Sequence, residues 1–239
     1  LPELSPFRMR VKSKERLTSA ECDDVVVKLD IEPLPGESLP VAVSGQLVRL
    51  GLPTLNDPSP GYFAIASSPE ERRHYEFVIK RTKGIGKLLA DIELGALVEV
   101  EGPMGSGFDL SGHRGRDIYL IGVGTGIASL CSVWRSIINH RDDFGKVGIY
   151  AGFLTPLHRL LTDELDALGE HNIEVNVSVT LGGDNWDGPI GYVQDAIEAD
   201  APDGNSATAC LSGMNAMVDA CRETLQNLCF NDEHILLNH

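Results

Sequence analysis

The sequence predicts two tandem domains. An antiparallel β-barrel is expected over residues 1–110, then an α/β domain with a five-stranded parallel sheet over residues 111–239. Three observations point there. The first half holds short alternating strands parted by Pro and Gly clusters, the pattern of an antiparallel barrel. The second half alternates apolar strand runs with helical stretches, the pattern of a parallel sheet covered on both faces. The formal charge also shifts, from −4 over residues 1–110 to −11 over 111–239, within a total of −15.

In the first half the strands are expected at Phe7–Val11, Val25–Leu29, Gln46–Leu50, Tyr75–Lys80 and Leu97–Val100. The breaks fall at Pro33–Gly36, Pro53–Gly61 and Gly102–Gly107. A short helix is expected at Ile85–Ile92, where Leu88, Leu89 and Ile92 share one face. The boundary is placed in the Gly-rich polar stretch Gly105–Arg116. Beyond it, strands are expected at Asp117–Ile121, Lys146–Tyr150, Ile173–Thr180, Ala207–Leu211 and His234–Leu237. Helices are expected after the glycines at 122–126 as far as Ile138, and at Leu160–Leu168, Tyr192–Ala199 and Met217–Leu228.

Composition excludes several classes. Charged residues make up 23% and hydrophobic residues 42%, ordinary for a folded globular chain. The strong acidity argues against broad nucleic-acid binding and against docking on anionic membranes. No apolar run reaches the roughly 18 residues of a spanning helix. Cys22, Cys131, Cys210, Cys221 and Cys229 form no C-x-x-C pair and read as reduced, small apolar residues. The chain opens on Leu1, so removal of an upstream segment is expected.

Four segments stand out. Gly122-Val123-Gly124-Thr125-Gly126-Ile127-Ala128 follows an apolar strand and opens a helix. Glycines there admit a pyrophosphate to a helix N-terminus, in the manner of a Rossmann-like turn. The same residues also suit a tight strand–helix turn that binds nothing. Gly61-Tyr62-Phe63-Ala64-Ile65-Ala66-Ser67-Ser68-Pro69 places an aromatic and small residues on a strand. Gly102-Pro103-Met104-Gly105-Ser106-Gly107-Phe108 precedes the boundary, and Leu211-Ser212-Gly213-Met214 ends a strand. Each alone reads as an edge strand, a linker or an ordinary turn.

In this order, and over nearly the whole chain from Phe7 to His239, they resemble the ferredoxin–NADP reductase superfamily. Among its members the chain looks most like small modules without an iron–sulfur domain, and like a plant plastid branch. The resemblance implies an FAD-binding, ferredoxin reductase-type barrel before a NAD(P)-binding domain. It implies an FAD-dependent NAD(P)H oxidoreductase, passing electrons to a protein carrier or partner subunit. The family's Arg-x-Tyr-Ser appears here as Gly61-Tyr62-Phe63-Ala64, while Ile65-Ala66-Ser67-Ser68-Pro69 is intact. Phe63 is expected to stack on the flavin, with Ile65, Ala66 and Ser67 beside it. Ala64 stands where the family has a serine reaching flavin N5. Lys83, Gly84, Ile85 and Gly86 are expected at the flavin pyrophosphate, with Gly102 in the complete Gly-Pro-x-Gly-x-x-Phe match. Gly124, Thr125, Gly126 and Ile127 are expected at the dinucleotide pyrophosphate. Ser212 replaces the family's cysteine beside the nicotinamide, followed by Gly213 and Met214.

The departures at Gly61, Ala64, Gly86, Leu154 and Ser212 motivate a second expectation, a non-catalytic or regulatory relative that has lost tight flavin binding. Leu154 replaces an arginine after the second strand of the α/β domain, so NAD(H) is favoured over NADP(H), with Arg159 the nearby cation. Trp186 reads as a packed loop aromatic. His74, His113, His140, His158 and His171 read as solvated, and terminal His239 as a frayed end or a flavin neighbour. Arg72-Arg73 and Lys80-Arg81-x-Lys83-x-x-x-Lys87 are the expected docking face for an acidic carrier. The expected compartment is the cytoplasm, or alternatively the plastid stroma.

Overall fold

The computed structural model describes residues 6–53, 58–183 and 185–238. His239 therefore lies outside the described residues, as does part of the Pro53–Gly61 cluster. The first half forms six antiparallel strands: β1 (Phe7–Arg16), β2 (Val26–Pro33), β3 (Leu47–Gly51), β4 (Gly61–Ala64), β5 (Tyr75–Lys80) and β6 (Leu97–Met104). They lie in the order β4-β3-β6-β1-β2-β5. The sheet curls so that its ends approach, and the Ala66 N–H donates to the Glu76 carbonyl at 2.8 Å. The result is a half-barrel, with one strand more than the alternation alone suggests. Alternate residues Leu29, Ile31, Phe77 and Ile79 fill its interior. Helix α1 (Ile85–Asp91) closes one end of it, with Leu89 and Ala90 buried.

The second half is a parallel sheet of β7 (Asp117–Val123), β8 (Val147–Phe153), β9 (Ile173–Val179), β10 (Ala207–Ser212) and β11 (Ile235–Leu237). Its order is β11-β10-β7-β8-β9. Helix α2 (Ile127–Asn139) covers one face because Ile127, Leu130, Cys131, Trp134 and Ile137 recur at helical spacing and are buried. Helices α4 (Val193–Asp200) and α5 (Asn215–Asn227) cover the other face, around Tyr119, Ile121, Tyr150 and Leu211. Helix α3 (Thr162–Ala167) is shorter than its apolar pattern suggests. Leu161 takes a left-handed backbone at φ 54, which forbids helix at that point. The first sheet ends at Met104 and the second begins at Asp117.

One apolar core runs through the junction of the two halves. Val26, Ala66, Val78 and Phe108 from the barrel side pack with Leu130, Trp134 and Phe153. A polar seam lies beside it. Arg135 on α2 donates to the Ala66 carbonyl (3.1 Å), to Glu76 (2.8 Å) and, through two nitrogens, to Glu164 on α3 (2.8 and 2.7 Å). Trp134 also donates to Glu164 at 2.6 Å. The Gly45 N–H donates to Ser132 Oγ at 2.7 Å, and Ser136 Oγ donates to Glu70 at 2.9 Å. One face of α2 therefore fixes the barrel against the parallel sheet. All five cysteines are free, four of them buried.

Candidate functional site

A cavity of about 990 Å³ opens between the halves. Its walls come from three chain turns that the fold brings together. From the barrel come Tyr62, Phe63 and Ala64 on β4, with Val78 on β5. From the β7–α2 turn come Gly124, Thr125 and Gly126. From the end of β10 come Ser212, Gly213 and Met214. Eight of the sequence-expected residues therefore share one space: Phe63, Ala64, Gly124, Thr125, Gly126, Ser212, Gly213 and Met214.

The two glycine turns meet so closely that side chains are excluded. A Cβ on Gly126 would lie 2.7 Å from the Ser212 carbonyl oxygen. Gly213, at φ +158, stands against Val123, with 2.9 Å left to Val123 Cγ2. Gly124 has φ +52 and faces open space. Helix α2 starts just after it with no side-chain cap, and Gly126, Ala128 and Ser129 at its start line the cavity. Ser212 Oγ lies 2.8 Å from Ser129 Oγ, which donates to it. Thus a strand end, a helix start and a neighbouring turn form a backbone-lined cradle suited to a dinucleotide pyrophosphate.

The other expected residues lie elsewhere. Ile65 belongs to the barrel core and Ala66 to the core between the halves. Ser67 Oγ accepts the Glu76 N–H at 3.3 Å. Ile127 is fully buried under the turn. Gly102 is held at φ +134, 3.1 Å by Cβ placement from the Leu47 carbonyl, so it shapes the β6 end. Lys83, Gly84, Ile85 and Gly86 stand at the start of α1 and do not line the cavity, although Thr82 beside them does. These residues do not line the cavity.

Several wall residues escape the sequence reading. Tyr192, before α4, is exposed beside Val193 and Gln194. Ser129 lies one helical turn beyond Gly126 and reaches Ser212. Their signal is slight: a tyrosine after a glycine, and a serine in an apolar helix. His158 is not solvated as expected. It lines the cavity, its Nδ1 2.7 Å from Thr155 Oγ1 and its Nε2 3.5 Å from Asp24. His74 is also largely enclosed, and His113 sits 2.9 Å from Thr208 Oγ1. Trp186 is a packed loop aromatic. Its N–H donates to the Pro189 carbonyl at 3.1 Å, and Arg159 lies 5.4 Å over its ring.

The expected basic face is largely self-neutralised. Lys80 pairs with Asp24 (2.6 Å), Arg81 and Lys87 both pair with Asp91 (2.7 and 2.8 Å), and Arg73 pairs with Glu71 (2.9 Å). The Lys80 ammonium holds the Asp24 carboxyl below its usual range. Hydrogen bonds from Arg73 bring the Glu71 carboxyl down to about 2.

Comparison with known proteins bears on the same turns. Residues 120–223 match the oxidoreductase NAD-binding domain family. The sulfhydrogenase 1 gamma subunit of Pyrococcus furiosus is 29% identical over 198 residues, covering 81% of this chain and 66% of that protein. NADH-cytochrome b5 reductase 1 of Eremothecium gossypii is 27% identical over 204 residues, covering 80% and 67%. The chain thus spans about two thirds of the length of these curated relatives. Among solved structures, the ferredoxin reductase in carbazole 1,9a-dioxygenase superposes with a TM-score of 0.84 at 24% identity, covering 98% of this chain and 69% of that one. Ferredoxin-NADP+ reductase from Plasmodium falciparum does so at 0.77 and 17%, covering 97% and 95%. The half-barrel followed by a parallel sheet is therefore the ferredoxin–NADP reductase-like two-domain fold.

Proposed function

We propose that this chain is a NAD(P)H-dependent flavin oxidoreductase, which passes electrons to a carrier protein or to a partner subunit. The observation that carries this reading is the meeting of β4, the β7–α2 turn and the β10 end around one cavity. The named relatives act as cytochrome b5 reductases with NADH or as a sulfhydrogenase subunit, which supports an electron-transfer role. The resemblance of the sequence implies FAD as the flavin.

The residues fit a flavin ring and a nicotinamide dinucleotide. Phe63 offers an aromatic face on the barrel wall, and Ala64 leaves room beside it. Gly124 to Gly126 and the α2 N-terminus suit the dinucleotide phosphates. When bound, the two groups supply the chemistry, a hydride moving from nicotinamide C4 to flavin N5. The chain contributes alignment. The close contact of Gly126 with Ser212 sets the spacing of the two turns, and Ser129 orients the Ser212 hydroxyl. Burial of Val78 and Ala128 keeps water from the inner wall.

NAD(H) is favoured over NADP(H). At the ends of β8 and β9 the cavity wall is Gly152, Phe153, Leu154 and Thr180, with His158 and Leu160 beyond and no Lys or Arg among them. The nearby Arg159 is turned onto Trp186, with only 22% of its side chain exposed. Mixing purified protein with flavin and then NADH under argon tests the reading. Bleaching of the flavin absorption, faster with NADH than with NADPH, is expected. A protein that takes up no flavin at micromolar concentration refutes it. The reading expects a reducing compartment, the cytoplasm or the plastid stroma, to suit the free cysteines.

A further inference from the structure

We infer that the barrel half carries a divalent-metal site made by Asp30, His74 and Glu76. The inference is independent of the proposed flavin reading, and none of the three residues lines the cavity. Asp30 on β2 and Glu76 on β5 stand directly opposite each other in the antiparallel register. They alternate with Leu29, Ile31 and Phe77 of the barrel interior, so they lie on its outer face, beside the seam with the parallel sheet. His74 comes just before β5. One ligand atom of each residue, a carboxylate oxygen or an imidazole nitrogen, lies within 4.8 Å of the other two.

Like charges directly opposite in a sheet repel, and this pair is short of compensation. Ser13 donates to Asp30 Oδ2 at 2.5 Å and leaves Oδ1 buried without a partner. His74 Nδ1 is also buried and unpartnered. The nearest Glu71 oxygen is 3.7 Å away from it, beyond hydrogen-bond distance, and that carboxylate holds Arg73. Arg135 meets Glu76 through Oε1, but the same guanidinium spans Glu164 with two nitrogens. Lys28 is held by Glu15 at 2.7 Å. Lys28, Arg73 and Arg135 thus each have a carboxylate of their own. Asp30 and Glu76 bring two further negative charges, which one divalent ion matches. Only 9% of the Glu76 side chain and 14% of the His74 side chain are exposed, so water screens little.

An ion seated among the three side chains gives Asp30 Oδ1 and the imidazole the partner they lack. One nitrogen and two carboxylate donors suit Zn2+ or Mn2+ better than Ca2+ or Mg2+. Seated there, the ion ties β2 to the segment leading into β5 and serves stability, not electron transfer.

The test is calorimetric titration of the full chain, stripped by chelator, with zinc chloride. One equivalent is expected to bind and to raise the thermal midpoint. Asp30→Asn and His74→Gln each remove a donor at little change of size. Each is expected to weaken that equivalent at least about tenfold, because losing even an outer-shell partner of a metal costs about 10–100-fold. Glu76 is left unchanged because it also holds Arg135. The His113–His234 pair, with rings 5.5 Å apart, is the rival zinc binder, and His234→Gln should leave the titration unchanged. No zinc taken up at micromolar concentration overturns the site. So does binding that survives both Asp30→Asn and His74→Gln, or binding that is lost in His234→Gln.

Discussion

Two residues set how the cradle responds to change. At Gly126 a methyl group would press on the Ser212 carbonyl and the Gly213 Cα, at 2.7 and 2.9 Å. Both neighbours are backbone and cannot rotate away. Gly126→Ala is therefore expected to destabilise by about 1–3 kcal/mol, the usual cost of overpacking. It should also weaken NADH binding, read by titration of protein fluorescence, because the two turns are forced apart. His113 acts at the far end of the same sheet. Burial, followed by the charges of His234 and Arg116, lowers its pKa from 6.5, with Asp109 opposing. The folded state thus binds this proton less readily than the unfolded chain. Its stabilising share is present above pH 6.5 and is lost as pH falls through the lowered value. The urea midpoint should drop below pH 6.5, and His113→Gln should flatten that dependence. A profile unchanged by the substitution would show that His113 does not carry it.

Among the elements, α2 does the most. Its N-terminus opens on the cavity and its flank carries Arg135, which joins Ala66 and Glu76 of the barrel to Glu164 of α3. Burial alone raises a carboxyl, but the Arg135 guanidinium outweighs it at Glu164 and holds that group low. At Glu76 burial wins and the carboxyl is pushed up despite the same partner. Arg135→Met would strand the buried Glu76 carboxyl and the half-buried Glu164 carboxylate and is expected to cost about 3–5 kcal/mol, measured by urea unfolding. A smaller loss would mean that water reaches the seam. The helix itself was legible from its apolar spacing, and so was the glycine turn before it. The arginine latch was not, because a long-range ion pair leaves no mark in local periodicity. The strand Gly61–Ala64 is legible from its aromatic and small residues rather than from alternation, since four residues are too few to show a period. The shortened α3 was missed because the left-handed turn at Leu161 is a tertiary override of an apolar pattern.

For the whole molecule, charge would decide how the proposed carrier approaches. The sequence shows basic clusters in the barrel half, which suggests a docking face for an acidic partner. In the folded chain Arg73, Lys80, Arg81 and Lys87 are tied to Glu71, Asp24 and Asp91, so their field at a distance is small. The total of −15 then dominates the approach. Lys87 and Asp91 stand four apart on a helix and are readable as a pair, but Arg81 and Asp91, like Lys80 and Asp24, meet only through the fold. An acidic carrier should therefore be repelled at low salt. Its reduction rate is expected to rise as salt screens the repulsion over a Debye length of about 10 Å at 0.1 M. A basic carrier should show the opposite slope. The measurement is the second-order rate of carrier reduction against ionic strength, with an acidic and a basic acceptor in parallel. A rate with the acidic carrier that falls with salt would mean that a local patch, with Arg72 and Lys83 as its free cations, outweighs the net charge.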